Sequence, residues 1–457
     1  MVLEVPSGAI PEPVVELCRQ FESGGFRAWI VGGSLRDVLL RRAPKDWDLA
    51  TSATPEQVTR LFKRVVPTGI EHGTVTVLFR GASYEVTTLR GEGTYSDGRR
   101  PDRVHFITDI EQDLARRDFT VNALALDPLA DRLIDPFGGL ADMQARLLRT
   151  VGRPEDRFGE DGLRVLRAAR FRATLEFELE PATQAAIPAA LDSFRRVSPE
   201  RVRDEWLRTL DARAPSRGFE LMQQTGILGI TCPELGEQFG CAQNRYHVHD
   251  VWRHSLLCMD ACERGAVHRL AGLLHDLGKP RTRAFSDKTS DYTFYNHEVV
   301  GARMADVWLK RYRFSNEERG RIVHLVENHL VCYSDEWSDA AVRRFVKRVG
   351  VENIDDLLQL ARADALGKGR DVQMELAALD RLEQRIGQVK QQGAAFGIRD
   401  LAIDGNDVMQ RLGIAPGRVV GTVLEELLQR VLERPELNQR EALLQAVDEI
   451  GGRPQSG

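Results

Sequence analysis

The sequence predicts a mixed α/β head followed by domains that are built only of helices. Strand-like runs of β-branched and apolar residues are confined to the first part of the chain, and helical periodicity takes over from about Asp161. Hydrophobic residues make up 42% of the 457 residues, enough to fill several cores. We expect four regions: a head (1–150), a helical neck (151–225), a histidine-rich block (240–370) and a helical tail (371–457).

The head begins with the pattern of a short helix and a buried strand. Residues 14–22 have amphipathic helical spacing, and residues 28–31 form an apolar run that ends at a pair of glycines. Residues 74–79 and 84–88 carry the alternating or β-branched pattern of further strands. Residues 90–103 are rich in Gly, Asp, Ser and Arg, a composition that indicates a loop.

The rest of the chain has helical patterns. One helix is expected to start near Asp161 and a second to end near Ala214, while the Gly- and Pro-containing stretch 225–243 has the composition of a linker. Eight of the ten His residues lie between positions 247 and 329, so they are not scattered at random. The last helical region extends to about residue 449.

Composition excludes several classes of protein. With 63 basic and 68 acidic residues, a net charge of −5 and a pI of about 6.1, the chain does not bind nucleic acid by bulk charge. None of the six Cys residues forms a C-x-x-C pair, which argues against a disulfide framework or zinc knuckle and suits a reducing compartment. We find no signal-peptide pattern and no apolar run near the roughly 18 residues of a membrane span. We therefore expect a soluble cytoplasmic protein without a membrane partner.

Two acidic residues in the head indicate a metal site. Asp46 and Asp48 follow a strand–Gly-Gly–helix turn, in which glycines let the backbone approach a phosphate. On an extended strand, residues i and i+2 face the same side, so the two carboxylates would repel each other unless a cation lay between them. Mg²⁺ held by carboxylates and substrate phosphates is the usual arrangement for phosphoryl transfer. A solvated acidic turn is the alternative.

Arginines farther along the head and neck suit nucleotide binding. A pair of guanidiniums precedes an acid and an Asn at 116–122, and Arg164, Arg167 and Arg170 recur on one helical face. This stripe starts next to Asp161, which places a hydrogen-bond acceptor beside a bidentate donor. Such a pair can recognise the exocyclic amine and ring acceptor that A and C share and that G and U lack. The alternative is a solvated surface stripe.

Six ordered motifs over residues 25–225 resemble one protein family. They are Gly-Gly-x-x-Arg-Asp at 32–37, Asp-x-Asp at 46–48, Arg-Arg-Asp-x-x-x-Asn-Ala at 116–123, Asp-Pro-Phe-Gly-Gly at 135–139, Glu-Asp-x-x-Arg at 160–164, and Ser-Pro-Glu-Arg with Glu205 at 198–205. Together they resemble class II tRNA nucleotidyltransferases and bacterial poly(A) polymerases, in the DNA polymerase beta superfamily. The resemblance implies a nucleotidyltransferase head with a polymerase-beta-like palm and a mixed sheet.

The resemblance also implies roles for individual residues. Asp46 and Asp48 would hold the catalytic Mg²⁺, with Glu85 as a further carboxylate on a neighbouring strand. The implied nucleotide-binding residues are Gly33, Arg36 and Arg117 for the phosphates and sugar, Asp161 and Arg164 as the protein template for the base, and Arg167 and Arg170 to complete the pocket. The 3′-hydroxyl of tRNA would attack the α-phosphate of CTP or ATP and release pyrophosphate.

Two stretches favour CCA addition within this family. Residues 68–75 and 97–101 resemble CCA-adding enzymes, in which the second stretch lies in a flexible loop linked to addition of the terminal A. The basic signature of the poly(A) polymerases is missing after the Asp-x-Asp. The alternatives are an A-adding tRNA nucleotidyltransferase, a poly(A) polymerase, or an RNA-binding or nucleotide-sensing protein with spent active sites. Residues 403–421 resemble the tRNA-binding tail of class II enzymes.

The histidine-rich block predicts a second metal site. Adjacent His and Asp residues stand at a helix end before a glycine, and imidazoles with carboxylates suit a divalent transition metal such as Mn, Ni or Co. The set resembles an HD-domain metal phosphohydrolase, for which related substrates are 2′,3′-cyclic phosphates or 2′-nucleotides. The implied ligands are His254, His275, Asp276 and Asp364, with His297 and His329 for a two-metal version.

Overall fold

The computed structural model describes residues 3–70, 73–91, 105–391 and 395–452. The chain divides into two compact units, a first unit of Met1–Pro233 and a second unit of Glu234–Gly457. The stretch 97–101, which favours CCA addition in the sequence, lies outside the described residues, as does part of the stretch 68–75.

A mixed sheet forms the centre of the head. Its strands are β1 (Ala28–Val31), β2 (Asp48–Thr51), β3 (Val65–Gly69), β4 (Thr74–Phe79), β5 (Ala82–Thr88), β6 (Ala125–Asp127) and β7 (Arg132–Ile134). Their order is β3-β4-β5-β2-β1-β6-β7, with β2 and β5 parallel and the other neighbours antiparallel. The predicted mixed sheet is therefore confirmed. The strands β8 (Leu147–Leu148) and β9 (Glu178–Leu179) form a separate parallel pair.

Helices follow and flank these strands in the first unit. They are α1 (Glu12–Ser23), α2 (Gly32–Leu39), α3 (Pro55–Leu61), α4 (Ile110–Ala115), α5 (Gly139–Ala145), α6 (Pro154–Glu160), α7 (Leu163–Leu175), α8 (Pro181–Ala186), α9 (Leu191–Phe194), α10 (Pro199–Leu210), α11 (Ser216–Gln224) and α12 (Leu228–Thr231). The next helix, α13 (Pro233–Gly236), starts at the last residue of this unit. On β1, Trp29 and Val31 point to the same face and pack with Ile110 and Leu114 of α4. This packing holds the end of β1, after which the glycine turn begins.

One sequence expectation for the neck was confirmed, and one for the stretch that follows it was wrong. The helix expected near Asp161 begins at Leu163, because Asp161 has extended backbone at the end of α6 and its Oδ1 accepts a hydrogen bond from the Leu163 N–H at 3.0 Å. The expected linker 225–243 contains α12 and α13, because Leu228 and Leu235 are buried and tie it to the fold.

The second unit consists mainly of helices. They are α14 (Val251–Ala261), α15 (Ala266–Leu274), α16 (Lys279–Thr282), α17 (His297–Arg311), α18 (Asn316–Asn328), α19 (Asp339–Val349), α20 (Ile354–Gly367), α21 (Gln373–Gln391), α22 (Gly405–Leu412), α23 (Arg418–Glu433) and α24 (Arg440–Gly451). The sequence missed one hairpin, β10 (Ala284–Ser286) with β11 (Asp291–Thr293), because its strands have only three residues each. Within the described ranges, we find no helix with both the length and the apolar character needed to cross a bilayer.

The second unit contains two distinct hydrophobic clusters. Leu379 and Ile386 of α21 pack with Phe345 of α19 and with Leu357 of α20. The other cluster starts at Ala395 and is formed by α22, α23 and α24. The packing therefore groups α21 with the histidine-rich block, although the sequence suggested that the tail begins at residue 371.

Candidate functional site

One cavity in the first unit contains the candidate catalytic and nucleotide-binding side chains. Its volume is about 910 Å³. The residues that the sequence singled out in the head and neck all line it: Gly33, Arg36, Asp46, Asp48, Glu85, Arg117, Asp161, Arg164, Arg167 and Arg170. These residues come from separate strands, turns and helices, so the fold brings the predicted set together.

Asp48 lies beside two other carboxylates. It is the first residue of β2 and pairs in register with Glu85 on the parallel strand β5. The sequence suggested that Asp46 shares an extended strand with Asp48, but Asp46 lies in a bend before β2. Burial, together with repulsion by Glu85 and Asp46, raises the pKa of Asp48 to about 6. Such a group of oxygen ligands has the chemistry that Mg²⁺ prefers.

The turn after β1 keeps space open beside these carboxylates. Gly32 has φ +68, in the left-handed region that favours glycine. A Cβ at Gly32 would lie 3.0 Å from Arg117 Nη1 and 3.7 Å from Asp48 Oδ2. A Cβ at Gly33, the glycine that the sequence singled out, would lie 3.6 Å from Arg36 Nη2. A side chain at position 32 would therefore enter the space beside Asp48 and Arg117, which glycine leaves open.

Asp118 and Asn122 connect the cavity arginines and were missed as site residues. Arg36 Nη1 donates to Asn122 Oδ1 at 2.7 Å, and Asn122 Nδ2 donates to Asp118 Oδ1 at 3.0 Å. Arg167 Nε donates to Asp118 Oδ2 at 2.7 Å. Although burial alone would raise it, the pKa of Asp118 is held well below its usual range by Arg167 and by the hydrogen bond from Asn122. Both residues belong to the motif at 116–123, which could have identified them as site residues from the sequence.

The arginine stripe of α7 is packed inside the fold and is not a solvated surface. Arg170 Nε lies 2.6 Å from Oε2 of Glu205 on α10, and Arg167 Nη1 lies 3.9 Å from Glu205 Oε1. Glu205 is only 3% exposed. The guanidinium carbons of Arg36, Arg167 and Arg170 lie 5.4, 5.4 and 4.0 Å from the ring centre of Phe171. Glu205 and Phe171 therefore hold these cations in place.

Asp161 and Arg164, the expected base-recognising pair, each have a separate partner. Arg201 Nη2 of α10 donates to Asp161 Oδ2 at 2.7 Å. Arg164 Nη1 donates to Glu160 Oε2 at 2.6 Å, and its Nη2 donates to the carbonyl of Arg116 at 2.9 Å. Both side chains thus have defined positions, and Arg201 is a further cavity residue that sequence reasoning missed.

A buried cluster of imidazoles and carboxylates lies in the second unit. Its members are His254 on α14, His275 and Asp276 directly after α15, His297 at the start of α17, His329 directly after α18, and Asp364 on α20. All are buried except Asp364, whose side chain is 21% exposed. The fold therefore brings together the six residues that the sequence singled out in this block.

Asp276 lies between two pairs of histidines. The Nε2 atoms of His254 and His275 are 3.1 Å apart, and those of His297 and His329 are 3.3 Å apart. Asp276 Oδ2 lies 3.4 Å from His254 Nε2 and 3.1 Å from His275 Nε2. Asp276 Oδ1 lies 3.4 Å from His297 Nε2 and 3.8 Å from His329 Nε2. Two groups of three ligand atoms therefore share one carboxylate.

Backbone carbonyls orient three of the imidazoles. The Nδ1 atoms of these rings face carbonyl oxygens: His275 to Gly272 at 2.8 Å, His297 to Phe294 at 2.7 Å, and His329 to Val326 at 2.7 Å. Because a carbonyl only accepts, Nδ1 carries the proton and the Nε2 lone pair of the neutral ring points into the cluster. Lone pairs this close repel each other unless a cation or proton lies between them, so the donor set fits metal ions.

Lys279 and His247 also belong to the surroundings of this cluster. Lys279 follows Asp276 by three residues, and its Nζ lies 2.6 Å from Asp276 Oδ2. Although burial opposes ionisation, His275 and Lys279 hold the pKa of Asp276 well below its usual range. The ring of His247 lies 4.9 Å from that of His254, and burial with the nearby Lys279 lowers the pKa of His247 to about 3. Sequence reasoning gave Lys279 no role.

Family models match three segments of the chain. Residues 28–149 match the poly(A) polymerase head domain, and residues 176–239 match a probable RNA- and SrmB-binding site of polymerase A. Residues 292–447 match a model of putative domain 2 of tRNA nucleotidyltransferases. The fold and the head cavity thus define a nucleotidyltransferase with a poly(A) polymerase-type head, as the sequence predicted.

Similar proteins extend over nearly the whole chain. A CCA-adding enzyme of Levilactobacillus brevis is 33% identical over 433 residues, which cover 93% of this chain and 94% of that protein. One of Lactobacillus johnsonii is 45% identical over 224 residues, but these cover only 49% of this chain and 55% of the relative. The crystal structure of the Bacillus stearothermophilus CCA-adding enzyme in complex with CTP has a TM-score of 0.73 and 26% identity, covering 96% of this chain and 97% of that one. The chain belongs to the CCA-adding enzyme family of tRNA nucleotidyltransferases.

Proposed function

We propose that this chain adds C, C and A to the 3′ end of tRNA, with CTP and ATP as substrates and pyrophosphate as product. The observation that carries the proposal is a cavity in which a group of carboxylates lies beside several buried guanidiniums. The related Bacillus stearothermophilus enzyme was crystallised with CTP, which supports a nucleoside triphosphate as ligand of the corresponding cavity here. Family membership supports tRNA as the partner.

Asp46 and Asp48, together with Glu85, are the proposed ligands of Mg²⁺. Their oxygen donors fit this ion, and the crowding that raises the pKa of Asp48 to about 6 would be relieved by a divalent cation. When bound, Mg²⁺ assists deprotonation of the attacking hydroxyl and neutralises charge on the phosphates. The contribution of the fold is to hold Asp48 and Glu85 on adjacent strands at the edge of the cavity, with Asp46 in the bend before β2.

Gly33, Arg36 and Arg117 are proposed to contact the phosphates and sugar of the nucleotide. Arg36 is already held by Asn122, so little side-chain freedom is lost when it binds an anion. In the proposed reaction, the 3′-hydroxyl oxygen of tRNA bonds to the α-phosphorus while the bond to the bridging oxygen of the β-phosphate breaks. Pyrophosphate then leaves, and the tRNA is one nucleotide longer.

Asp161 and Arg164 are proposed to select the base. The Asp161 carboxylate accepts a hydrogen bond from the exocyclic amine of C or A, and Arg164 donates to a ring acceptor. U and G present a carbonyl oxygen where C and A carry the amine, so they would leave two acceptors facing each other. The fixed positions of both side chains, through Arg201 and Glu160, support this role. Arg167 and Arg170 complete the pocket.

The experiment is extension of two tRNAs, one that ends at the discriminator base and one that already ends in CC, with labelled CTP and ATP given separately and together. The proposal expects two C residues with CTP alone and a complete CCA end with both nucleotides. Addition of A only to a tRNA that already ends in CC would indicate an A-adding enzyme, and long A tracts would indicate a poly(A) polymerase. No incorporation by the folded chain would indicate a spent active site. Each of these three results would overturn the proposal.

We propose a second function for the histidine cluster, that of a metal-dependent phosphohydrolase of the HD type. The observation that favours it is the placement of Asp276 between two histidine pairs whose Nε2 lone pairs converge. Divalent Mn, Ni or Co suits these ligands, and when bound such an ion supplies a water of lowered pKa. The expected substrates are 2′,3′-cyclic phosphates or 2′-nucleotides. Elemental analysis of the purified chain and hydrolysis of 2′,3′-cyclic AMP test this function. A chain that binds no transition metal and leaves the cyclic phosphate intact would contradict it.

A further inference from the structure

A second cavity opens onto the histidine cluster. It has a volume of about 630 Å³, and its walls include Asp276, His297, His329, Asp364 and Lys279. Ligand pockets of this size enclose molecules much larger than a phosphate ion. A phosphate held at the cluster would therefore leave most of the cavity free for the group that is attached to it.

Two tyrosines in the wall of this cavity expose their rings. Tyr246 is 59% exposed and Tyr295 is 78% exposed. An aromatic ring left open to water forgoes the free energy of its burial, so rings exposed at a cavity wall are surfaces for a ligand. Aromatic rings stack on nucleobases regardless of sequence, because every base has a flat π face. The partly buried Tyr292 and the buried Phe294 add to the aromatic surface.

The segments that carry the two tyrosines are fixed near the cluster. Tyr295 precedes His297, the first residue of α17, by two positions. The carbonyl of Tyr246 accepts a hydrogen bond from Arg370 Nε at 2.9 Å. Next to Tyr246, Arg245 Nε donates to Asp291 Oδ2 of β11 at 2.9 Å. Because these segments are already anchored, a ligand that stacks on the tyrosines loses little free energy to ordering of the backbone.

Lys279 supplies a positive charge between the cluster and the aromatic wall. It is only 6% exposed, and its Nζ lies 2.6 Å from Asp276 Oδ2 and 2.6 Å from Gln243 Oε1. The same Nζ lies 5.5 Å from the ring centre of Phe294. A ligand with a phosphate at one end and a flat ring at the other matches this order of groups.

We propose that Tyr246 and Tyr295 form a base-stacking subsite through which this cavity selects nucleoside phosphates over phosphate esters that lack a base. The ligand is a nucleoside phosphate, either free or at the 3′ end of an RNA. The inference rests on the proposed phosphohydrolase function of the cluster, to which it adds the residues that determine specificity.

The test compares the binding of adenosine 3′-monophosphate and ribose 5-phosphate to the full chain by calorimetry, with Mn²⁺ present. Binding to the head cavity is subtracted with the variant His275→Ala/Asp276→Ala. We expect the nucleotide to bind roughly tenfold more tightly than the sugar phosphate. Tyr246→Ala and Tyr295→Ala should each remove most of this preference, while Tyr246→Phe and Tyr295→Phe should keep it, because the ring remains.

The matched control is Phe239→Ala, in the turn that follows α13. Phe239 is 58% exposed and does not line the cavity, so its loss should leave both affinities unchanged. An oligoribonucleotide with a 3′-phosphate, measured beside the mononucleotide, identifies the source of the ligand. Tighter binding of the oligonucleotide supports an RNA end, and equal binding supports free nucleotides.

Failure of the subsite and failure of the hydrolase are distinguishable. The subsite proposal would be overturned if the nucleotide and the sugar phosphate bound with equal affinity and the two Ala variants left both affinities unchanged. This holds even if the chain hydrolyses p-nitrophenyl phosphate. Absence of bound metal and of any hydrolysis would overturn the phosphohydrolase function. A preference for the nucleotide that responds equally to Phe239→Ala would also overturn the assignment to Tyr246 and Tyr295.

Discussion

Asp48 shows how the neighbours of one residue set its chemistry. It lies in register with Glu85 on the adjacent strand, and Asp46 is nearby. Burial and the repulsion from these two carboxylates raise the pKa of Asp48 to about 6 in the chain without metal. The folded chain thus binds this proton more tightly than the unfolded chain, in which the pKa is 3.8. The resulting stabilisation is complete below about pH 4 and is lost as the pH rises through about 6.

Asp48→Asn should therefore stabilise the metal-free chain at neutral pH. At pH 7.5 in EDTA we expect its free energy of unfolding to exceed that of the wild type by about 1–3 kcal/mol, because the amide carries no charge. At pH 4.5 the difference should fall to about a third of that value. Mg²⁺ should stabilise the wild type more than the variant, and the variant should incorporate neither C nor A. Urea unfolding at the two pH values and primer extension are the measurements.

The control for this prediction is Asp192→Asn, which changes a fully exposed carboxylate. It should alter neither stability nor activity. If Asp48→Asn is less stable than the wild type at pH 7.5, repulsion within the carboxylate group is not the dominant effect. Retained nucleotide incorporation would contradict the role of Asp48 as a metal ligand.

Asp161 and Arg164 carry the second prediction at the scale of residues. Asp161→Ala and Arg164→Ala should lose discrimination against UTP and GTP. In the wild type, a wrong base leaves a buried polar group unpaired at a cost of about 1–3 kcal/mol, and each variant lacks one of the groups that would be left unpaired. The Asp46 and Asp48 site is unchanged, so slow misincorporation should remain visible. Extension of a tRNA without CCA by each nucleotide alone measures the effect.

Arg167→Ala provides the contrast one turn further along α7. It should raise the KM for the nucleotide while fidelity is mostly kept, because Arg167 contacts Asp118 and not the base-recognising pair. If Asp161→Ala and Arg164→Ala select CTP and ATP as sharply as the wild type, the two residues do not act as a template.

At the scale of elements, α10 positions the face of α7 that lines the cavity. Arg201 of α10 holds Asp161, and one turn later Glu205 lies 2.6 Å from Arg170. Glu205→Gln keeps the shape but removes the charge that faces buried guanidiniums. We expect a loss of about 2–4 kcal/mol in the free energy of unfolding, because buried cations are then uncompensated. The KM for CTP should rise more than kcat falls.

Asp204→Asn is the matched control on the same helix, since the side chain of Asp204 is 54% exposed. Its stability and kinetics should match those of the wild type. Steady-state extension over a range of CTP concentrations and urea unfolding give the two readouts. An unchanged KM in Glu205→Gln would show that Glu205 serves stability alone.

Elements with a strong local pattern were predictable, and those that depend on distant contacts were not. The apolar run 28–31 and the alternating run 74–79 match β1 and β4 in their limits. The helix expected near Asp161 is α7, which begins at Leu163 because the side chain of Asp161 accepts from the Leu163 N–H while its backbone stays extended. The hairpin of β10 and β11 was missed because three-residue strands carry too little pattern.

At the scale of the whole molecule, the two candidate sites lie in different units of the chain. The head cavity is formed within the first unit and the histidine cluster within the second. His275→Ala/Asp276→Ala should therefore remove the bound transition metal and any hydrolysis of 2′,3′-cyclic AMP. Nucleotide addition should stay within about twofold of the wild type. Elemental analysis, chromatography of the nucleotide products formed from 2′,3′-cyclic AMP, and primer extension measure the three effects.

The control for this variant is His268→Ala, which removes an imidazole from α15 outside the cluster, where His268 faces Asp356 at 3.1 Å. It should keep both the metal and the hydrolysis. If the double variant remains folded by circular dichroism but loses CCA addition, the two activities are not independent.

The sequence by itself determined the fold class and the types of residue at both sites. Buried strands and amphipathic helices impose local periodicity, and ordered motifs such as Asp-x-Asp and Glu-Asp-x-x-Arg are local as well. Only the tertiary structure decided that Glu85 pairs in register with Asp48, that Arg201 holds Asp161, and that Asp276 lies between two histidine pairs. These contacts join segments far apart in the chain, so they depend on strand register and helix packing, which no local pattern specifies.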